Sequence, residues 1–221
     1  TTLGVGALAA GSLAAAPAPA RVVAPTIAEG EVLPNVVSAD WLVDNLDNPD
    51  AVVIEVSTEP GLFERGHIPG ATNLRWHTDL VDTVRRALID KDSLQELLQG
   101  AGVSEGSTIV LYGDRNNWFA AWGAWVFALY GVENVKLLDG GRALWDAEAR
   151  DLAVAPETPA AGDIVLADAD PALRAFLPEV LEVVETDAAV DLVDIRSADE
   201  FSGAIIAPEG IQELSVRAGH I

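Results

Sequence analysis

The sequence predicts an α/β fold, a parallel sheet flanked by helices, duplicated along the chain with the second copy incomplete. Three observations carry that expectation. Short β-branched runs at residues 51–56, 109–112 and 135–138 alternate with stretches whose apolar residues recur at helical spacing. Within those runs the apolar residues are consecutive, as in parallel strands buried on both faces. Finally, Gly66-His67-Ile68 recurs as Gly219-His220-Ile221, each time downstream of a strand-like run.

Residues 1–20 are small, apolar and uncharged, and they close on Ala18-Pro19-Ala20. They read as the hydrophobic region of an export signal with a small-residue cleavage site. The protein is therefore expected to be exported, to the periplasm or the exterior. The opening Thr-Thr-Leu-Gly-Val-Gly-Ala resembles the segment just after the paired arginines of twin-arginine signals. The stretch is too short and too rich in Ala and Gly for a membrane span, so no membrane role beyond export is expected. Residues 21–34 read as linker.

A first domain is expected over residues 35–150. Ser38 caps a helix that carries Asp40 in its first turn and Trp41, Leu42 and Leu46 on one face. Asn48-Pro49-Asp50 ends it, and a strand comes next at 51–56. A polar connection leads to Gly66-His67-Ile68-Pro69-Gly70-Ala71, a turn, and then to a short strand at 72–74. His67, alone beside Gly and Pro, reads as a structural donor. Asp92-Ser93-Leu94 opens the next helix, with Leu94, Leu97 and Leu98 inward and Gly100 or Gly102 at its end. After the strand at 109–112, Trp118, Trp122, Trp125 and Leu129 recur at i, i+4, i+7 and i+11, one helical face. Gly131 stops that helix; a strand at 135–138, the turn Asp139-Gly140-Gly141-Arg142 and a short helix with Leu144 and Trp145 complete the unit. Strands alternating with helices imply right-handed crossovers.

Residues 151–170, rich in Ala, Pro and acidic side chains, read as an inter-domain linker that includes a short strand at 164–166. A second unit over residues 171–221 has a helix at 179–185 and a buried strand at 191–196. It repeats the first unit from its strand through Asp199-Glu200-Phe201 to the second Gly-His-Ile, with a longer connection between. Lacking a counterpart of the central strand, it is expected to bury only part of a core and to be loosely ordered in solution.

The 221 residues include 35 acidic and 13 basic ones, a formal charge of −22, and half are hydrophobic. A field of that sign repels nucleic acid and anionic lipid, so neither is expected as a partner. The surface fits adaptation to high salt or an ordinary acidic protein, and a salt titration of folding separates the two. Cysteine is absent, which excludes disulfides, thiolate metal sites and thiol catalysis within these residues. His67, His77 and His220 lack metal-site spacing; no metal or organic cofactor is implied. A monomer is expected.

The stretch from Ile109 to Trp125 is the most informative. A buried strand, the polar loop Gly113-Asp114-Arg115-Asn116-Asn117 and a helix together make a geometry that aims backbone N–H groups at a small anion. An enzyme would carry its nucleophile there. This loop has no Cys, Ser, Thr or His.

Taken in order, Gly66-His67-Ile68-Pro69-Gly70-Ala71, the strand–loop–helix at Tyr112, the run Leu137-Leu138-Asp139-Gly140-Gly141-Arg142 through Trp145, and Asp194-Ile195-Arg196 through Glu200-Phe201 resemble the tandem-domain rhodaneses, the thiosulfate sulfurtransferases. The resemblance covers about residues 35–221. It implies a catalytically silent first domain and a second domain whose loop Cys takes sulfur from thiosulfate as a persulfide and passes it to cyanide or another thiophile. Its partners would be a small anionic sulfur donor and a thiophilic acceptor. A loop of N–H groups at a helix N-terminus suits a thiolate, lowering its pKa and holding the donor anion.

By the same resemblance Gly113 is the first-domain counterpart of that Cys, and Asp114 beside it would repel thiosulfate. The loop from Gly113 to Asn117 is therefore read as inactive, pinned in place and contributing to the domain interface. The nucleophile is expected beyond Ile221. Asp194 and Arg196 match the strand-end motif beside the family's active site, as an ion pair that fixes the loop or as a substrate contact. Glu200 stands where some relatives have an anion-holding arginine. The alternatives are a noncatalytic rhodanese-fold binding or scaffolding module and a regulatory phosphatase-like relative, which also needs a loop Cys.

Overall fold

Five parallel strands form one sheet in the order β1-β5-β4-β2-β3. They are β1 (Val36–Val37), β2 (Ala51–Ser57), β3 (Thr72–Arg75), β4 (Thr108–Gly113) and β5 (Val135–Leu138). The computed structural model describes residues 35–221 except 83, 85–86, 156–157, 187–189 and 209–216. Residues 1–34, read as export signal and linker, lie outside the described residues, as does part of the longer connection in the second repeat.

Strands β2 and β4 sit at the centre, with Ala51 paired to Thr108 and Val56 to Gly113. Being covered on both faces, they alternate which layer they feed, as the two-residue period of a strand requires. Val52, Ile54, Val56, Ile109 and Leu111 face α3 (Lys91–Gly100) and α4 (Trp118–Leu129). Val53, Val110 and Tyr112 face α1 (Ala39–Asn45), α2 (Leu62–Arg65) and α5 (Gly141–Ala147). Leu94 and Leu98 are fully buried; each such leucine contributes about 1.5–3 kcal/mol relative to exposure. Ser38 caps α1 as the sequence indicates, accepting from Trp41 N at 3.1 Å.

Four expectations need correction. The helix read as opening at Asp92 begins one residue earlier, at Lys91, and is capped by Asp90, whose carboxylate accepts from Ser93 N at 3.0 Å. In α4 the face against the sheet is Ala120, Gly123, Phe127 and their neighbours, and Trp118 is 57% exposed. This helix is apolar all round, so periodicity cannot choose its inner face. The small residues win because they let the helix approach closely: a Cβ on Gly123 would lie 3.4 Å from Val56 Cγ2. Trp122 and Trp125 instead pack edge to face, with Trp122 also against Trp76.

The third correction concerns residues 159–170. They form no strand and are no free linker. Gly162 N donates to Gln99 O, Ile164 N to Val103 O, Ala167 N to Tyr130 O and Asp170 N to Leu129 O, at 2.8–3.2 Å. Gln99 and Gln95 side chains hold Ile164 O and Leu166 N, and Leu166 is buried. The segment is a strap across α3 and α4, assembled from backbone groups paired singly with the helices and not laddered with a strand.

The fourth is the strand read at 191–196. Leu192, Val193 and Ile195 are 50%, 81% and 93% exposed, and no strand forms there. A β-branched run becomes a strand only against a partner, and among the described residues none lies beside it. Among the described residues of this region the α-helices are α6 (Leu177–Glu185) and α7 (Ala198–Ser202).

Candidate functional site

Strand β2 continues to β3 on one side, whereas β4 continues to β5 on the other. The sheet therefore reverses its order between β2 and β4, and their C-terminal ends form the crevice in which open α/β sheets bind ligands. Ser57 ends β2 and Gly113 ends β4, so the loop from Gly113 to Asn117 lies over this crevice.

The first residue of the loop has no room for a side chain. A Cβ on Gly113 would lie 2.4 Å from the carbonyl oxygen of Val56, its paired neighbour on β2. Asp114 comes next, and its carboxylate is fully engaged. Its Oδ2 accepts from Thr58 N at 3.1 Å, Thr58 Oγ1 at 2.9 Å and Glu59 N at 2.9 Å. Arg115, Asn116 and Asn117 then turn with φ of 52°, 55° and 63°, a left-handed run that non-glycine residues adopt only when held. Asn117 supplies the hold. Its Oδ1 accepts from Gly113 N at 3.0 Å and its Nδ2 donates to Leu138 O at 2.7 Å. It also packs against Gly141, where a Cβ would come within 2.2 Å of Asn117 Oδ1. Arg115 and Asn116 point to solvent.

Beneath the loop lies a buried polar cluster. Arg142 donates from Nη1 to Glu55 Oε2 at 2.9 Å and from Nη2 to Gly66 O. Glu55 is 0% exposed; burial pushes its carboxyl above the usual range, against the pull of the Tyr112 hydroxyl and the Arg142 guanidinium. Tyr112 accepts from Ile68 N at 3.1 Å, and burial together with the Glu55 charge raises its hydroxyl far above 10, keeping it protonated. His67 stacks on Phe63 at 3.8 Å and its Nδ1 contacts Phe63 O at 2.9 Å. These groups tie the Gly-His-Ile turn to the centre of the sheet.

The second set of sequence-selected residues lies elsewhere, around the second Gly-His-Ile. Arg196 donates from Nε and Nη2 to Asp194, at 2.9 Å and 2.6 Å, and from Nη2 to Gly219 O at 3.0 Å. That hydrogen bonding holds the Asp194 carboxyl at about 2. Glu200 turns inward to cap α7, accepting from Ser197 N and Oγ at 3.1 Å and 2.8 Å. His220 stacks on Phe201 at 3.9 Å, with Nδ1 2.8 Å from Phe201 O. The geometry repeats that of Phe63 and His67, and each Gly-His-Ile offers its glycine carbonyl to an arginine.

Thr58 and Glu59, the partners of Asp114, are absent from any sequence reading, since backbone donors leave no compositional mark. Glu55 was legible in principle: a carboxylate inside a β-branched strand requires a buried partner. Among the described residues, no group of three His, Cys, Asp or Glu side chains is placed to hold a metal, and no helix is long and apolar enough to cross a membrane.

The sequence profile of the rhodanese-like domain matches residues 38–148, half the chain. The chain belongs to this family. As a rhodanese-like chain it is 44% identical over 186 residues to a protein of Mycobacterium bovis described as "Putative thiosulfate sulfurtransferase 1", covering 84% of this chain and 66% of that one. A Saccharopolyspora erythraea protein described as "Putative thiosulfate sulfurtransferase" is 41% identical over 186 residues, covering 84% of this chain and 65% of that one. The chain thus spans just under two thirds of the length of these relatives. Among solved structures, SseA of Escherichia coli, described among the "3-mercaptopyruvate sulfotransferases", superposes with a TM-score of 0.68, covering 83% of this chain and 72% of its own, at 23% identity. An anaerobic ergothioneine biosynthesis enzyme from Chlorobium limicola gives 0.64 at 25% identity, over 85% of this chain and 48% of its own. The rhodanese fold is therefore established, in a family that includes sulfurtransferases.

Proposed function

We propose that these residues belong to an exported, tandem-domain thiosulfate sulfurtransferase, in which residues 35–150 form the noncatalytic first domain and residues 171–221 begin the catalytic one. The carrying observation is the second Phe–His pair, which reproduces the first in stacking distance and in its Nδ1 contact to a backbone carbonyl. A strand-like run precedes each pair. The relatives are about half as long again as the 186 residues that match.

Catalysis would then proceed in two displacements. A loop thiolate attacks the outer sulfur of thiosulfate; the S–S bond breaks with its electron pair leaving on sulfite, and a persulfide forms. Cyanide, or another thiophile, attacks the terminal persulfide sulfur and departs as thiocyanate, returning the thiolate. No metal or organic cofactor enters. Within the 221 residues no group can carry that sulfur, because cysteine is absent. The first domain supplies fold and interface.

The test is sequencing of the gene through its 3′ end, and then a thiosulfate-dependent thiocyanate assay on the complete protein. A downstream loop Cys with thiocyanate production is the expected result. A complete protein with no Cys in that loop would instead establish a binding module, for which exposed Trp118 beside the loop is the natural contact.

A further inference from the structure

In this chain the crevice at the sheet's switch point is filled by the Asp114 carboxylate, which takes the donors of Thr58 and Glu59. We infer that Asp114 is a built-in anion: its carboxylate occupies a small-oxyanion site formed by Thr58 N–H, Thr58 Oγ–H and Glu59 N–H, and its removal would open that site to sulfate or thiosulfate. The inference rests on the geometry of residues 57–59 and 113–117 and goes beyond the proposed sulfur transfer, with which it shares no residue.

Two independent features lead here. The first is position. Thr58 and Glu59 leave the C-terminal end of β2, and Asp114 leaves the end of its parallel neighbour β4, at the one place where the strand order reverses. The second is the donor set. Two successive backbone N–H groups and one hydroxyl converge on a single carboxylate oxygen at 2.9–3.1 Å, with Thr58 N also 3.3 Å from the other oxygen. Successive N–H groups aimed at one point form an anion-binding concavity. The carboxylate comes from a residue 56 positions away in sequence, so the donors are not satisfied by a local turn. Glu59 leaves the site free of its own charge by turning its side chain to Arg65. Asn117 keeps Asp114 in place by fixing Gly113 N.

A carboxylate delivered by the chain has no translational freedom to lose, whereas a free oxyanion must be drawn from solution against a protein charge of −22. The tethered anion therefore wins at any ordinary concentration, and the first domain is closed to sulfur oxyanions by occupation.

The experiment uses the 221-residue chain. Sulfate and thiosulfate are titrated into wild type and Asp114→Ala by isothermal calorimetry, in potassium chloride at constant ionic strength so that screening of the acidic surface is equal throughout. The expected result is saturable binding by the variant, at least tenfold tighter than by wild type, and loss of that gain when Thr58→Val removes the hydroxyl donor in the same background. Asp114→Ser, whose shorter side chain leaves the site open, serves if the alanine variant does not fold, with the same expectation. Folded opening variants that bind neither anion more tightly than wild type would overturn the inference. So would binding that is indifferent to Thr58→Val. Neither outcome bears on thiocyanate production by a complete protein, so this inference and the proposed function can fail separately.

Discussion

Arg142 reaches from α5 to place Nη1 2.9 Å from Glu55 Oε2, and both side chains are almost wholly removed from water, at 9% and 0% exposure. The pair joins a peripheral helix to the central strand β2, and the same guanidinium holds Gly66 O. Burying two charges is costly, and such a pair repays it only while both members are present. Arg142→Ala would leave an uncompensated carboxylate at the centre of the sheet and is expected to cost about 3–5 kcal/mol, read by urea denaturation. Replacing both, Glu55→Leu with Arg142→Met, is expected to recover most of that loss. A single variant within about 1 kcal/mol of wild type, the range of an exposed pair, would show that the buried bridge does not hold the layers together.

Glu55 also sets a pH dependence. Its carboxyl is raised above 4.5 by burial, which outweighs Tyr112 and Arg142. As pH rises, the unfolded chain releases this proton before the folded one does, so the native state holds more protons in that window. The Glu55 contribution is therefore full below pH 4.5 and is lost as pH rises through the folded value. The stability of wild type relative to Glu55→Gln is expected to decline from pH 4.5 towards neutrality, measured by urea titrations at matched ionic strength. An advantage for wild type that grows with pH would reverse the sign and refute this assignment.

Gly113 offers a test of whether the loop from Gly113 to Asn117 has room for a nucleophile. A Cβ there would stand 2.4 Å from Val56 O, and the obstacle is backbone of the paired strand, which cannot turn aside like a side chain. Gly113→Cys is expected to cost about 1–3 kcal/mol, as overpacking of a filled core does, and to yield no thiocyanate from thiosulfate and cyanide. Activity in that variant would show that only the thiol was missing. Unchanged stability would show that the strands part easily at this point.

Much of the sheet was legible because its strands are β-branched, consecutive and separated by Gly, Pro and Asn turns. Ala51–Ser57 and Val135–Leu138 fall where residue type alone puts them. What escaped depended on partners distant in sequence. The inner face of α4 is set by Gly123 lying against Val56, which an apolar helix does not advertise. The run at 191–196 has strand composition and no strand neighbour among the described residues. Of the site, the loop from Gly113 to Asn117 was visible as a break between strand and helix, and Asp194 with Arg196 as a close opposite-charge pair. The engagement of Asp114 by Thr58 and Glu59 was invisible, because two of its three donors are main-chain groups that nearly every residue possesses.

The strap at 159–170 shows that packing onto α3 and α4 continues past the residues the family profile matches. The family profile ends at residue 148, and the Ala, Pro and acidic composition after it suggests a linker, yet these residues pair with α3 and α4. Gly162 lies against Val103 so closely that a Cβ would meet its carbonyl oxygen at 1.9 Å. Gly162→Ala must therefore displace the backbone there, and with it the bond from Gly162 N to Gln99 O and that from Ile164 N to Val103 O. Hydrogen exchange is the measurement suited to this, since protection reflects hydrogen bonding and local stability. In wild type the amides of Ile164, Leu166, Ala167 and Asp170 are expected to exchange slowly, together with α3 and α4. Those of Leu192, Val193 and Ile195, exposed and outside any strand, are expected to exchange at least a hundredfold faster, a contrast equivalent to about 2.7 kcal/mol of opening free energy. Gly162→Ala is expected to bring the strap amides towards the fast group while those of β2 and β4 stay protected. Equal protection from residue 164 through residue 195 would mean that the second segment is as firmly held as the strap, and the boundary drawn at residue 170 would have to move.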